Sequence, residues 1–147
     1  MSKEVRLAAM NLLARREHSQ QELHRKLANK GFEPADIRPA LATLSEEGLL
    51  SDERFTEAFI NSRLKRGSGP IKIAMELQQR GVSDELVNIY LDERDALWAE
   101  SAVTVRAKRF GPNLPDDFKE RARQMRFLQY RGFTIQQIQR AVGEEID

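Results

Sequence analysis

One short pattern recurs three times in this chain and limits what it can fold into. Leu27-Ala-Asn-Lys-Gly31-Phe32, Leu77-Gln-Gln-Arg-Gly81-Val82 and Leu128-Gln-Tyr-Arg-Gly132-Phe133 share Leu-x-x-Lys/Arg-Gly-apolar at offsets of 50 and 51 residues. An apolar residue precedes the first two copies in register (Leu23, Ile73), and two apolar residues four apart follow each copy: Ile37 and Leu41, Val87 and Leu91, Ile138 and Val142. A helix that ends on a left-handed glycine and is followed by a second amphipathic helix produces this spacing. Each unit then reads as a helix, a second helix stopped at basic-Gly, and a third helix. Units of about 50 residues have small cores, so neighbouring units are expected to support one another. The expected fold is all-α: three tandem three-helix bundle repeats, residues 1–50, 51–94 and 95–147, forming an elongated, curved array.

Local signals divide the units into nine helices. Ser19 with Glu22 and Thr134 with Gln137 have the capping-box spacing, in which a hydroxyl and the N3 side chain satisfy backbone N–H groups reciprocally. Ser51 and Ser83 are simpler N-caps, followed by acidic pairs that suit a helix start, while Pro34, Pro70 and Pro115 fit first turns. Gly31, Gly48, Gly67, Gly81, Gly111 and Gly132 mark C-terminal stops. The helices fall near 3–16, 20–30, 34–47, 52–66, 70–80, 84–93, 95–110, 116–131 and 135–145. Pro39 lies inside the third and is expected to kink it or delay its start.

Composition excludes several classes. There is no Cys among 147 residues, which removes disulfides, thiolate catalysis and Cys-ligated zinc. Apolar runs are only a few residues long, far short of the ~20 needed for a membrane span. The opening Met-Ser-Lys-Glu-Val-Arg has no apolar stretch of a secretory signal, so a cytoplasmic location is expected. His18 and His24 show no fixed spacing to a carboxylate and are expected at the surface or in caps, without metal. Gly67-Ser-Gly69 is not followed by Gly-Lys-Ser/Thr, so no phosphate loop is present. Phe55, Phe59 and Trp98 read as core. Neither an enzyme nor a cofactor is expected.

The net charge of +1 conceals segregation. Residues 105–131 hold eight basic and three acidic side chains, and residues 63–75 hold Arg63, Lys65, Arg66 and Lys72 with no acid. Residues 44–57 and 84–95 each carry five acids and one arginine. Such alternation suits a partner that has its own charge pattern. On the eighth helix Lys119, Arg123, Arg126 and Tyr130 lie within about 40° of one line at ~100° per residue, a basic stripe ending in an aromatic. It can cover an acidic protein patch, track phosphates, or remain a solvated face. Phe118, Ala122, Met125 and Leu128 form the neighbouring face that suits the core. The Arg63/Arg66 pair and Lys72 flank the Gly67–Pro70 loop, where an anion could dock near a helix start. No helix carries a convincing set of base-reading side chains, so sequence-specific DNA recognition is weakly supported.

The run Gly48-Leu-Leu-Ser-Asp52-Glu-Arg54-Phe55-Thr-Glu-Ala58-Phe59, continuing through Arg63, Gly67, Gly69-Pro70, Ile73, Glu76-Leu77 and Arg80-Gly81, closely resembles the RecX family of bacterial recombination regulators. The similarity extends back to Arg15-Arg16-Glu-His-Ser19 with Glu22-Leu23 and Lys26-Leu27, and forward to Arg126-Phe-Leu-Gln-Tyr130-Arg-Gly-Phe133. The resemblance implies a non-enzymatic protein that binds the RecA recombinase in its nucleoprotein filament and restrains its ATPase, strand-exchange and coprotease activities. It also implies a position in the filament groove, touching more than one subunit. Asp52, Arg54, Phe55 and Phe59 match the family signature and are expected to hold a helix junction together. Arg63, Lys65, Arg66, Lys72, Lys119, Arg123, Arg126 and Tyr130 are the expected partner contacts, on charge placement alone. A monomer with weak direct DNA contact and no membrane association is expected. The competing classes are a helical module acting directly on nucleic acid and an adaptor for an unrelated protein.

Overall fold

The computed structural model describes residues 2–144, with side chains from Lys3. Its elements are α1 Ser2–Leu13, α2 Gln20–Asn29, α3 Pro34–Glu46, α4 Asp52–Lys65, α5 Pro70–Gln79, α6 Asp84–Tyr90, α7 Ala96–Phe110, α8 Phe118–Arg131 and α9 Ile135–Ala141. No strand occurs among the described residues.

The recurring sequence pattern is a recurring hydrogen-bonded stop. Phe32 N–H donates to the Leu27 carbonyl (3.3 Å), Val82 to Leu77 (3.1 Å) and Phe133 to Leu128 (3.2 Å). Gly31, Gly81 and Gly132 each donate to the carbonyl three residues back, at 3.0 Å. These two bonds define a Schellman stop, and the leucine and the following apolar residue belong to it because they pair across the turn. All three glycines have φ between +80° and +100°. Both capping boxes form, and Ser51 and Ser83 accept from Arg54 and Leu86 N–H at 3.2 Å.

Helix ends differ from the sequence expectation where local side chains compete. α6 stops at Tyr90 because Asp92 Oδ1 takes the Arg94 N–H (3.0 Å) and Asp95 then caps α7 through Leu97 N–H (3.0 Å). α8 starts at Phe118, since Asp117 rather than the region of Pro115 supplies the cap, accepting from Glu120 N–H at 2.7 Å. α1 ends at Leu13 and α9 at Ala141, short of the expected 145, because Val142 caps it and Gly143 turns the backbone to φ +79°. Pro39 neither ends nor delays α3, which runs from Pro34. The donor it removes would have served the Ala35 carbonyl; both residues sit on an exposed face, where solvent reaches.

The chain divides into two compact units: Met1–Phe59 with Leu77–Tyr90, and Ile60–Glu76 with Leu91–Asp147. The first has an aliphatic core of Val5, Ala9, Leu23, Leu27, Ile37, Leu41, Leu44 and Leu50. Each fully buried leucine contributes about 2 kcal/mol relative to exposure. The second centres on Ala102, Leu128, Phe133, Ile138, Ala141 and Val142.

Within each unit the stop of one repeat is seated on the second helix of the repeat before it. In the first, the Arg80 carbonyl accepts from Ser19 Oγ at the start of α2 (2.7 Å), and Gly81 lies against Gln21. In the second, the Arg131 and Gly132 carbonyls accept from Gly69 N–H (2.7 Å) and Ile71 N–H (2.9 Å) at the start of α5. Gly132 lies so close to the Lys72 backbone, and Gly69 to the Gly132–Phe133 backbone, that neither leaves room for a Cβ. In the second unit the last carbonyls of one helix therefore meet the first backbone donors of another, which satisfies both ends at once; in the first the donor is the Ser19 hydroxyl. This seating explains why the middle repeat gives residues to both units.

Candidate docking surfaces

Asp52, Arg54, Phe55 and Phe59 form the expected junction in the first unit. Asp52 Oδ1 accepts the Gln20 N–H at 2.8 Å, while burial pushes its carboxyl above the ordinary range and that hydrogen bond partly offsets the rise. Arg54 pairs with Glu17 (2.8 Å), the Phe55 and Phe59 rings lie 5.6 Å apart, and the Arg80 guanidinium sits 4.7 Å from the Phe59 ring.

His18 is not at the surface as expected; it is buried at 1% exposure. Its Nδ1 lies 3.0 Å from the Arg16 carbonyl and its Nε2 lies 3.0 Å from Lys26 Nζ. A Lys26 ammonium only donates, so Nε2 accepts, Nδ1–H donates to Arg16, and the ring is neutral. Burial, followed by the charges of Arg16 and Lys26, holds the imidazole below its usual pKa even though the Arg16 carbonyl favours its charged form. No group of metal-ligating side chains that could hold an ion occurs among the described residues.

The eight expected contact residues all belong to the second unit but do not form one patch. Lys72 and Tyr130 come together, with Nζ 5.1 Å from the ring centroid and Tyr130 78% exposed. Arg126 borders an apolar groove of about 340 Å³ lined by Ile71, Met125, Phe133, Ile135 and Ile138. Ile71 and Ile135 expose about half their surface there, 49% and 52%. Lys65 and Arg66 face a different groove, of about 330 Å³, at the C-terminal ends of α4, α7 and α8.

Arg63 is turned inward, 3.6 Å from Glu76 with both side chains mostly covered. Arg123 pairs with Glu120 at 3.1 Å and lies 5.0 Å from the Phe110 ring. Their hydrogen bond holds Glu120 below and Arg123 above the ordinary values. Lys119 is exposed near the start of α8 and lines neither groove.

Two side chains, one at the start of α8 and one on α7, lie elsewhere than the sequence pattern implies. Phe118, expected on the core face, is 83% exposed, because the core of this unit begins further along the helix, at Met125 and Leu128. Arg106, counted among the basic side chains of the segment, is buried at 2% exposure. It donates to the carbonyls of Gly111 (2.8 Å) and Asn113 (3.3 Å) and to Gln124 Oε1 (3.0 Å). It fixes the α7–α8 connection in the way a capping group fixes a helix end.

Lys108, Arg109 and Arg131 join Lys65 and Arg66 in the basic groove and were not among the expected contacts. A signal for them exists: α4, α7 and α8 each carry basic residues in the last turn, where the helix dipole favours cations. Sequence spacing alone did not say that these three ends share a groove.

Fold and surface together define an all-α protein of tandem three-helix repeats whose exposed grooves are apolar in one place and basic in another. Family descriptions of the first, second and third three-helix domains of RecX match residues 6–44, 51–91 and 99–142. The chain belongs to the RecX family. It is 49% identical over 142 residues to "Regulatory protein RecX" of Halorhodospira halophila, covering 97% of this chain and 88% of that protein. It is 44% identical over 144 residues to the protein of the same name from Pseudomonas fluorescens strain SBW25, covering 97% and 93%. The fold matches the crystal structure of RecX from Lactobacillus salivarius with a TM-score of 0.79 at 21% identity, over 96% of this chain and 94% of that one. No helix among the described residues is long and apolar enough to cross a membrane.

Proposed function

We propose that this chain is a cytoplasmic, non-enzymatic regulator that binds the RecA nucleoprotein filament and restrains its ATPase, strand-exchange and coprotease activities. Its repeats, 1–50, 51–94 and 95–147 in this reading, occupy the filament groove or block growth at an end. Membership of a family whose relatives are named regulatory proteins supports the reading. The structural observation that carries it is the apolar groove of Ile71, Met125, Phe133, Ile135 and Ile138 with Arg126 at its rim and the Lys72–Tyr130 pair beside it. Two half-exposed isoleucines, Ile71 and Ile135, beside core side chains, with an arginine and a tyrosine at the edge, have the composition of a protein-binding hot spot. Neighbouring cations set register and on-rate against an acidic rim.

The test is recombinase ATPase on single-stranded DNA, titrated with this protein. Inhibition at or below one chain per recombinase subunit is expected. Full ATPase activity throughout the titration would contradict the proposal.

A further inference from the structure

The basic groove differs in chemistry from the apolar one. Lys65 and Arg66 at the end of α4, Lys108 and Arg109 at the end of α7, and Arg131 at the end of α8 line a space of about 330 Å³, and no Asp or Glu lines it. None of these five cations has an ion-pair partner among the described residues. Arg6, Arg16, Arg54, Arg63, Arg80 and Arg123 face carboxylates, and the acid-free groove of the first unit gathers only two cations, Arg25 and Arg38, against five here.

Arg131 is partly committed, since it donates to the Arg66 carbonyl (3.0 Å) and covers the negative end of α4. Phe127 lies beneath, with the Arg109 and Arg131 guanidinium groups 5.4 Å and 5.1 Å from its ring. These stacking contacts hold two of the cations in place without neutralising them. Ser101 adds a hydroxyl to the wall, while the Thr104 hydroxyl beside it donates to the Glu100 carbonyl (3.2 Å). Like charges gathered this closely repel one another, and an external anion relieves that cost.

The geometry points to a site for the phosphodiester chain of a single-stranded nucleic acid, separate from the apolar groove. Lysines, arginines and Ser/Thr hydroxyls are the donor set that positions phosphates without reading bases. A narrow cationic groove tracks one strand, whereas a duplex presents its phosphates on a broad convex surface. An acidic protein segment is the other polyanion to consider, but it would ordinarily bring apolar anchors as well. The side chains that suit such anchors line the other groove of this unit.

The test is fluorescence anisotropy of a labelled thirty-nucleotide oligothymidylate, without recombinase, across a salt series. The wild type is compared with Lys108→Gln/Arg109→Gln and with Arg25→Gln/Arg38→Gln, an exposed pair in the first unit. Losing two phosphate contacts lowers the log–log salt slope by about 1.4, at ~0.7 per contact. Over the decade from 1 M to 0.1 M salt this weakens binding about 25-fold. The Arg25/Arg38 variant is expected to match the wild type, and a duplex of equal length to bind more weakly than the single strand. The proposal is overturned if the Lys108/Arg109 variant keeps the wild-type affinity and slope. It is equally overturned if poly-glutamate displaces the oligonucleotide at a lower charge concentration than unlabelled oligothymidylate does.

Discussion

The two units of this chain distribute their cations differently. In the first, Arg6 pairs with Glu47, Arg16 and Arg80 with Glu22, and Arg54 with Glu17. Glu22 also closes the capping box of α2, so burial that would raise its pKa is outweighed by Arg16 and the cap, and it stays ionised. In the second unit, Arg63 and Arg123 are paired, but five cations share a groove with no acid, and Arg126 stands at the rim of an apolar one. In the first unit Arg54 and Arg80 tie one repeat to the next through Glu17 and Glu22, and only Arg25 and Arg38 share an open groove; in the second, five cations converge on one groove and are left for something outside the chain. Exposed ion pairs contribute little stability each, so the contrast concerns where an anionic partner finds an attractive field more than which unit is firmer.

The largest expected effect contrasts the same turn in two settings. Gly31 and Gly132 have nearly equal φ, +100° and +97°, but only Gly132 is packed against the Lys72 backbone. Gly31→Ala is expected to cost about 1–2 kcal/mol, the left-handed penalty alone. Gly132→Ala adds an overlap of roughly 1–3 kcal/mol, so urea unfolding should separate the two clearly. Equal losses would mean that the seated turn adds nothing to the second unit.

Next is the polar interior of the second unit. Gln124→Ala removes one partner of the buried Arg106 guanidinium and is expected to cost about 2–3 kcal/mol, measured by the same denaturation. A loss near zero would show that the Gly111 and Asn113 carbonyls suffice.

A smaller effect concerns pH in the first unit. The folded His18 pKa lies below its unfolded value of about 6.5, so the unfolded chain binds the proton more readily. The stability held by neutral His18 is fully present above pH ~6.5 and is lost as pH falls toward the folded pKa. Thermal unfolding between pH 8 and 5 should show this decline, and His18→Gln should flatten it. An unchanged slope in the variant would assign the decline to other groups.

Much of the fold was legible because its signals are local. Capping boxes, glycine stops and the 50-residue repeat each act over a few residues, and they located nine helices to within a few positions at most described ends. Boundaries failed where Asp92, Asp95 and Asp117 offered the backbone a competing cap. The candidate site was less legible because it depends on which helix ends converge. The Lys72–Tyr130 pair unites residues 58 positions apart, through the seating of the Gly132 turn on α5. Arg106 and Phe118 were misread for a related reason: helical periodicity gives a face, but not how far along the helix the core extends.

The most direct test of the central reading is binding to recombinase filaments assembled on single-stranded DNA. The wild type is compared with Arg126→Glu/Ile135→Glu in the second unit and Arg25→Glu/Arg38→Glu in the first. Ile135 opens α9, where a glutamate suits the helix start, so the variant should remain folded by circular dichroism. Binding on the order of tenfold weaker or more for the second-unit variant, with little change for the first-unit variant, is the predicted result. Equal binding by all three proteins, or a larger loss in the first-unit variant, would contradict it.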